Sequence, residues 1–244
     1  MRVPGTGQDV YPLAGHAMPY ALIITCEHAG NTVPAKYKAL FPHSEGVLQS
    51  HEGWDPGAWE IATYLGSQFH CRPIGCHTTR LLIEANRSLD SPQLFSRYSR
   101  PLGHIDKQVL IDEVYTPYRQ EVVREIEQLS QPVLHLSVHS FTPVYHGLER
   151  EVEVGLLFDP GRAMESRFCH AYHEALALAL PNLKIRFNEP YLGTDDGLTS
   201  HLRSRYGDGQ YAGIELEVSQ KFVPDLQGIK PFLATAIKKA LEGR

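Results

Sequence analysis

Apolar and polar positions change period many times along the 244-residue chain. Residues 1–19 hold several Gly and Pro and show no apolar period, which predicts an irregular arm. Ala21–Cys26 is a short apolar run with the length of a buried strand. Asp55-Pro56 predicts a helix start, with Asp as N-cap and Pro at the first helical position. Behind it Ala58, Ile61, Ala62, Leu65 and Phe69 share one apolar helical face. Residues 81–83 read as the apolar core of a second strand. Residues 105–129 return to helical spacing, and Pro117 predicts a kink or split within them. Strands are predicted over 133–138 and 154–158, a helix over 163–180, and a short strand over 184–187. A helix over 197–206 ends at Gly207, a strand alternates over 212–218, and a helix over 229–242 closes the chain. Strands alternating with helices predict an α/β sandwich with a mostly parallel central sheet. No repeat, low-complexity tract or long linker interrupts residues 1–244, so a single domain is expected.

Composition narrows the class. Lys plus Arg is 23 against 28 Asp plus Glu, a net charge of −5, which argues against a nucleic-acid partner. Hydrophobic residues at 42% and charged residues at 21% fit a globular domain rather than a disordered chain. No run of 18 apolar residues exists, so no membrane span is expected. The first twenty residues do not read as a signal peptide. Cys26, Cys71, Cys76 and Cys169 form no CxxC pair. They read as free thiols of a cytoplasmic protein, with Cys26 buried. The 13 histidines stand out, but their number does not say which of them matter.

Position does. In open α/β sheets, ligands bind beyond the C-terminal ends of the strands. The first strand runs into Glu27-His28-Ala29-Gly30-Asn31. The expected second runs into Glu84-Ala85-Asn86-Arg87, and the third into His139-Ser140. Two histidines from neighbouring strand ends can share a metal, although each alone reads equally well as a core histidine. Asp55, Glu27 and Glu52 are the candidates for a third ligand, and Asp55 also has the plain reading of a helix cap. Glu215 and Glu217 share one face of the last strand, where a carboxylate beside a metal could act as general base. Arg80 and Arg87 flank the apolar run 81–83 and offer planar forks for a carboxylate. Dinucleotide, P-loop, HExxH and GxSxG signatures are all missing. Residues 193–197, Gly-Thr-Asp-Asp-Gly, read as a loop or lid leading into a helix.

Several short segments carry a resemblance. They are Thr25-Cys26-Glu27-His28-Ala29-Gly30-Asn31-Thr32-Val33-Pro34 and Gly53-Trp54-Asp55-Pro56-Gly57-Ala58. Thr79-Arg80-Leu81-Leu82-Ile83-Glu84-Ala85-Asn86-Arg87 and His139-Ser140 follow. Asn188-Glu189-Pro190-Tyr191 and Leu216-Glu217-Val218 complete the series. In order and spacing the chain resembles the N-formylglutamate amidohydrolase (N-formylglutamate deformylase) family over about residues 20–223. The resemblance implies a three-layer fold similar to zinc-dependent exopeptidases and hydrolysis of an amide by a metal-bound water. It implies His28, Asp55 and His139 as ligands of a divalent metal, zinc by expectation, and Glu217 as the carboxylate that activates the water. Arg80, Asn86 and Arg87, with Ser140, would bind a small acidic substrate such as N-formyl-L-glutamate. Ser137 and Glu84 depart from the family pattern, which has Asp at both places; Ser137 is expected to cost His139 an orienting partner. Another amide, ester or peptide as substrate, or a degenerate binder of small acidic ligands, are the alternatives. The sequence leaves the oligomeric state open.

Overall fold

The computed structural model describes residues 20–242, so the arm expected over residues 1–19 lies outside them. The first elements are β1 (Ala21–Cys26), α1 (Glu45–Gln49), α2 (Ala58–Phe69), β2 (Ile74–Gly75) and α3 (His104–Leu110). A π turn (Ile111–Tyr115) leads into α4 (Thr116–Glu127), then β3 (Val133–Phe141) and a small hairpin of β4 (Val144–Tyr145) and β5 (Leu148–Glu149). β6 (Val154–Leu157), α5 (Ala163–Ala179), β7 (Ile185–Phe187), α6 (Leu198–Arg205), β8 (Tyr211–Ser219) and α7 (Lys230–Glu242) complete the order.

The six-stranded sheet runs β2-β1-β3-β8-β6-β7. Neighbours are parallel except β6 and β8, which are antiparallel. Helices α2, α5 and α7 pack on one face through Ile61, Leu65, Phe168, Leu176, Leu233 and Ile237. Helices α4 and α6 cover part of the other through Tyr118, Val122, Leu198 and Leu202. The three-layer α/β architecture is the expected one. Each fully buried Leu or Ile in these layers stabilises by roughly 1.5–3 kcal/mol.

β3 is buried along its whole length, yet its two faces differ in kind. Leu134, Leu136 and Val138 enter the core under α2, α5 and α7. His135, Ser137 and His139 alternate with them and so project from the opposite face. The register continues that polar stripe sideways, with Thr25 beside Ser137, Ser137 beside Glu215, and His139 beside Glu217. The sheet therefore delivers several polar groups side by side at one end.

Three expectations change. Residues 81–83 are not a strand; they lie in a run of tight turns, and β2 is supplied instead by Ile74–Gly75. Leu81, Leu82 and Ile83 are buried all the same, in a separate cluster with Tyr37, Phe41, Leu94 and Tyr115. Three apolar residues cannot distinguish a strand from a buried turn, and local bonds decide here. Leu82 N–H donates to the Thr79 carbonyl at 3.0 Å, and Arg80 pairs with Glu84 four residues on. The segment 105–129 divides at the π turn just before Pro117, which sits in the first turn of α4 where its missing N–H costs nothing. His139 and Ser140 lie inside β3 rather than beyond its end, because pairing with β8 runs on to Phe141.

Candidate metal and active site

His28 lies two residues past the end of β1, His139 lies near the end of β3, and Asp55 lies in the turn before α2. All three are buried and converge. His28 Nδ1 is 3.1 Å from Asp55 Oδ2, His139 Nδ1 is 3.0 Å from the same oxygen, and the two nitrogens are 3.2 Å apart. A tetrahedral ion with bonds of ~2.0 Å spaces its ligands by roughly 3.3 Å, so this triangle has the edge length that a small divalent ion requires. Asp55 is not the helix cap; Gly57 precedes α2, and the Asp55 carboxylate turns to the imidazoles instead.

The outward nitrogens fix the tautomers. His28 Nε2 lies 2.5 Å from Glu84 Oε1, and His139 Nε2 lies 2.9 Å from Glu27 Oε2. An ionised carboxylate only accepts, so each Nε2 carries the hydrogen and each Nδ1 keeps a lone pair for the centre. Burial alone would push the carboxyls of Glu27 and Glu84 up. For Glu27 the bond and charge of His139 outweigh it; for Glu84 the Arg80 charge and His28 do. Both acids are held below the ordinary carboxylate range. Without an ion, burial would lower His139, but its bonds to Asp55 and Glu27 hold its proton well above the usual range. Two imidazole nitrogens and one carboxylate oxygen thus converge on one point, and these donor types could hold a metal ion.

Glu217 behaves in the opposite way. Burial, with the charges of Asp55 and Glu215, outweighs the nearby histidines and pushes its carboxyl up to about 7. Its Oε2 is buried with no hydrogen-bond partner among the described residues. Gly155 on β6 faces it in register, and a Cβ there would meet the Glu189 carbonyl oxygen at 2.1 Å and Glu217 Cβ at 3.2 Å. Gly155 thus lets the 188–197 loop approach the site.

A cavity of about 160 Å³ opens over these groups. With roughly 30 Å³ per water, it fits a small molecule rather than a macromolecule. Arg80, Asn86, Arg87 and Ser140 all line it. Arg80 is held by Glu84 through Nε at 2.7 Å and by Asp55 through Nη1 at 3.3 Å. Asn86 Oδ1 accepts from Leu198 N–H at 2.7 Å and so closes the start of α6. Ser140 spends its hydroxyl proton on the Pro56 carbonyl at 2.7 Å, while its N–H points to Asp55 Oδ2 at 3.3 Å. Glu52 is outside the site: it is exposed and pairs with Arg97 at 2.9 Å. Glu27 touches His139 from behind rather than facing the centre.

Residues 20–223 match the profile of the family described as N-formylglutamate amidohydrolase. The chain belongs to that family. The structure of gene product Atu2144 from Agrobacterium tumefaciens is similar at 30% identity and TM-score 0.78, over 92% of each chain. The N-formylglutamate amidohydrolase from Ralstonia eutropha JMP134 shares the fold at 17% identity and TM-score 0.63, over 96% of each chain. No curated protein matches the sequence. Membership in the N-formylglutamate amidohydrolase family makes the chain a hydrolase. Among its described residues no helix is long and apolar enough to cross a membrane.

Against the family pattern, neither departure leaves a gap. Glu84 reaches both His28 and Arg80. Ser137 does not cost His139 its partner: Glu27 takes that place, and Ser137 Oγ contacts both His139 Nε2, at 2.9 Å, and Glu27. Thr25 Oγ1 and Tyr118 Oη donate to Glu27 at 2.8 and 2.6 Å. His135 extends the network between Thr25 and Tyr211, at 2.7 and 2.6 Å. Sequence reading misses His135, Tyr118 and the role of Glu27. The period-2 repeat at 135, 137 and 139 is the available signal for the first, and nothing local marks Tyr118. The role of Asn188 is missed as well. Its Oδ1 accepts from Phe158 N–H and Gly193 N–H, both at 3.0 Å, and fastens the 188–197 loop over the cavity.

Proposed function

We propose that the protein is a metal-dependent amidohydrolase that removes the formyl group, or another small N-acyl group, from an acidic amino acid such as N-formyl-L-glutamate. The observation that carries this reading is the buried His28–Asp55–His139 triangle beside a Glu217 oxygen that has no other partner. Two nitrogens and a carboxylate oxygen suit zinc, with a position left open toward the cavity. A divalent ion held there supplies a Lewis acid that polarises the scissile carbonyl and makes water more acidic. Glu217 takes the proton from the attacking water and returns it to the amine nitrogen as the C–N bond breaks, leaving formate and the free amino acid. Arg80, tied to Asp55 and Glu84 next to the ligands, meets the carboxylate nearest the scissile amide. Arg87, near the mouth beside Gln93 and Asp196, meets the distal one. Charge-assisted guanidinium–carboxylate hydrogen bonds supply the selectivity for an acid.

Metal-stripped protein reconstituted with zinc and offered a panel of N-acyl amino acids tests the reading. Hydrolysis of N-formyl-L-glutamate ahead of neutral N-formyl amino acids is expected, and loss of zinc stoichiometry in His28→Ala and His139→Ala. No hydrolysis of any panel member by protein holding one equivalent of metal refutes it. A Glu217→Ala variant as fast as the parent shows that the base lies elsewhere.

A further inference from the structure

Arg119 is the exception among the buried cations. Lys230, the other buried cation, pairs with Glu60, and the half-buried Arg162 and Arg203 both pair with Glu165. Arg119 is only 7% exposed, yet among the described residues no carboxylate lies within ion-pair distance of it. Its Nη2 has no hydrogen-bond partner among the described residues. Its guanidinium lies 4.9 Å over the Tyr115 ring, a cation–π contact that offsets part of the cost of burying a charge with no carboxylate partner.

Its one firm contact outside its own helical segment points to the cavity wall. Arg119 Nη1 donates to the backbone carbonyl of Arg87 at 2.7 Å and also contacts Tyr115 Oη. Tyr115 Oη donates to that same Arg87 carbonyl at 2.8 Å. Two donors from one helical segment thus grip a single backbone oxygen. Tyr115 ends the π turn, and Arg119 lies one helical turn further on. Such single π turns inside helices recur at functional positions. On the cavity side, Arg87 Nη1 donates to the Asn86 and Asp196 carbonyls, both at 2.8 Å, and Nε donates to Gln93 at 3.1 Å. No acceptor among the described residues meets Arg87 Nη2, and Arg87 lines the cavity. The side chain of Arg87 is therefore oriented from the front, its backbone is held from behind, and one amino group stays open.

We infer that Arg119, with Tyr115, is a positioning residue that makes Arg87 the reader of the substrate's distal carboxylate. Its unpaired charge adds positive field behind Arg87, so the site selects a glutamate-type dicarboxylate over the corresponding neutral amide. This rests on the proposed function above and assigns its selectivity to a residue outside the cavity.

Direct binding tests it without turnover. L-Glutamate and L-glutamine, which differ only in the distal group, are titrated calorimetrically into the zinc-loaded full-length chain. Wild type is expected to bind L-glutamate at least tenfold more tightly. Arg119→Met brings the ratio close to one with zinc content and L-glutamine affinity unchanged, and Arg119→Lys recovers most of it. Tyr115→Phe, which removes one of the two donors, lowers the ratio about threefold. Equal or undetectable binding of the two amino acids by wild type overturns the assignment, as does a ratio kept in Arg119→Met. Equal weakening of both ligands in that variant also overturns it, because a merely structural role would do that. If Arg119→Met does not fold, an unchanged ratio in both Arg119→Lys and Tyr115→Phe has the same force. Wild type that discriminates but never hydrolyses N-formyl-L-glutamate refutes the proposed function alone. Wild type that hydrolyses it without discrimination refutes the role of Arg119 alone.

Discussion

Glu27 and Glu217 stand on two sides of His139, are both buried, and carry the same side chain. Behind the imidazole, Glu27 accepts from Thr25, Tyr118, Ser137 and His139, and is held below the ordinary carboxylate range. In front of it, Glu217 has an oxygen with no partner, and burial pushes its carboxyl up to about 7. Burial raises both acids, so donor count separates them. A carboxylate given every donor it can use is a fixed charge that orients a ligand. A carboxylate left short of donors can take up a proton and give it back, which is what a general base must do. The sheet places the two kinds on opposite sides of one ring.

The sharpest way to break this contrast is Glu217→Gln. The zinc-loaded variant should hold metal normally while kcat falls about 10²–10⁴-fold, the usual contribution of a positioned base. Parallel assays of zinc content and turnover check it, and loss of both together would mean that Glu217 serves the ion rather than the proton.

The raised Glu217 carboxyl also makes a pH prediction for the metal-free protein. Between its ordinary value of 4.5 and about 7, the folded chain keeps a proton that the unfolded chain has released. The stabilisation from this proton is complete below the lower value and is lost as pH rises to the upper one. The difference amounts to about 3 kcal/mol. Chemical denaturation of chelator-treated wild type and Glu217→Gln across that window should show wild type losing stability relative to the variant. Parallel curves for the two would place the proton elsewhere.

On the other side of the ring, Glu27→Gln should weaken zinc binding by about 10–100-fold, the usual effect of removing a group that orients a ligating histidine. Competition with a chromogenic chelator measures it. An unchanged affinity would make Glu27 a core residue and remove one half of the comparison.

The smallest effect belongs to the roof. Asn188→Ala takes the acceptor from two backbone N–H groups and should cost about 1–3 kcal/mol. For a chain of this size that is a fall in melting temperature of about 2–4 °C per kcal/mol. An unchanged melting temperature would show that the loop is held by its other bonds, such as Arg203 Nη1 to the Gly193 carbonyl.

Much of the fold and two of the three groups that converge in the candidate site are legible in the amino-acid sequence alone. The alternating elements, the parallel sheet and the pair His28 and His139 follow from local periodicity and from the rule about strand ends. Errors fall where local pattern is degenerate. Residues 81–83 have the apolar content of a strand, but Arg80 and Glu84 fold their ends together into a buried turn. Asp55 carries two local readings, helix cap and metal ligand, and only two imidazoles 27 and 84 residues away decide where its carboxylate turns.

The chain's own pattern determined which elements form and which edge of the sheet carries polar groups, because hydrophobic period and strand direction are written residue by residue. Which acid faces the ligand triangle, which stands behind it and which keeps a movable proton was decided only by tertiary structure. Those roles depend on donors brought from distant segments: Tyr118 and Ser137 to Glu27, and none to Glu217 Oε2. The protonation of a buried carboxyl is a property of its surroundings, and those surroundings are assembled only when the sheet closes.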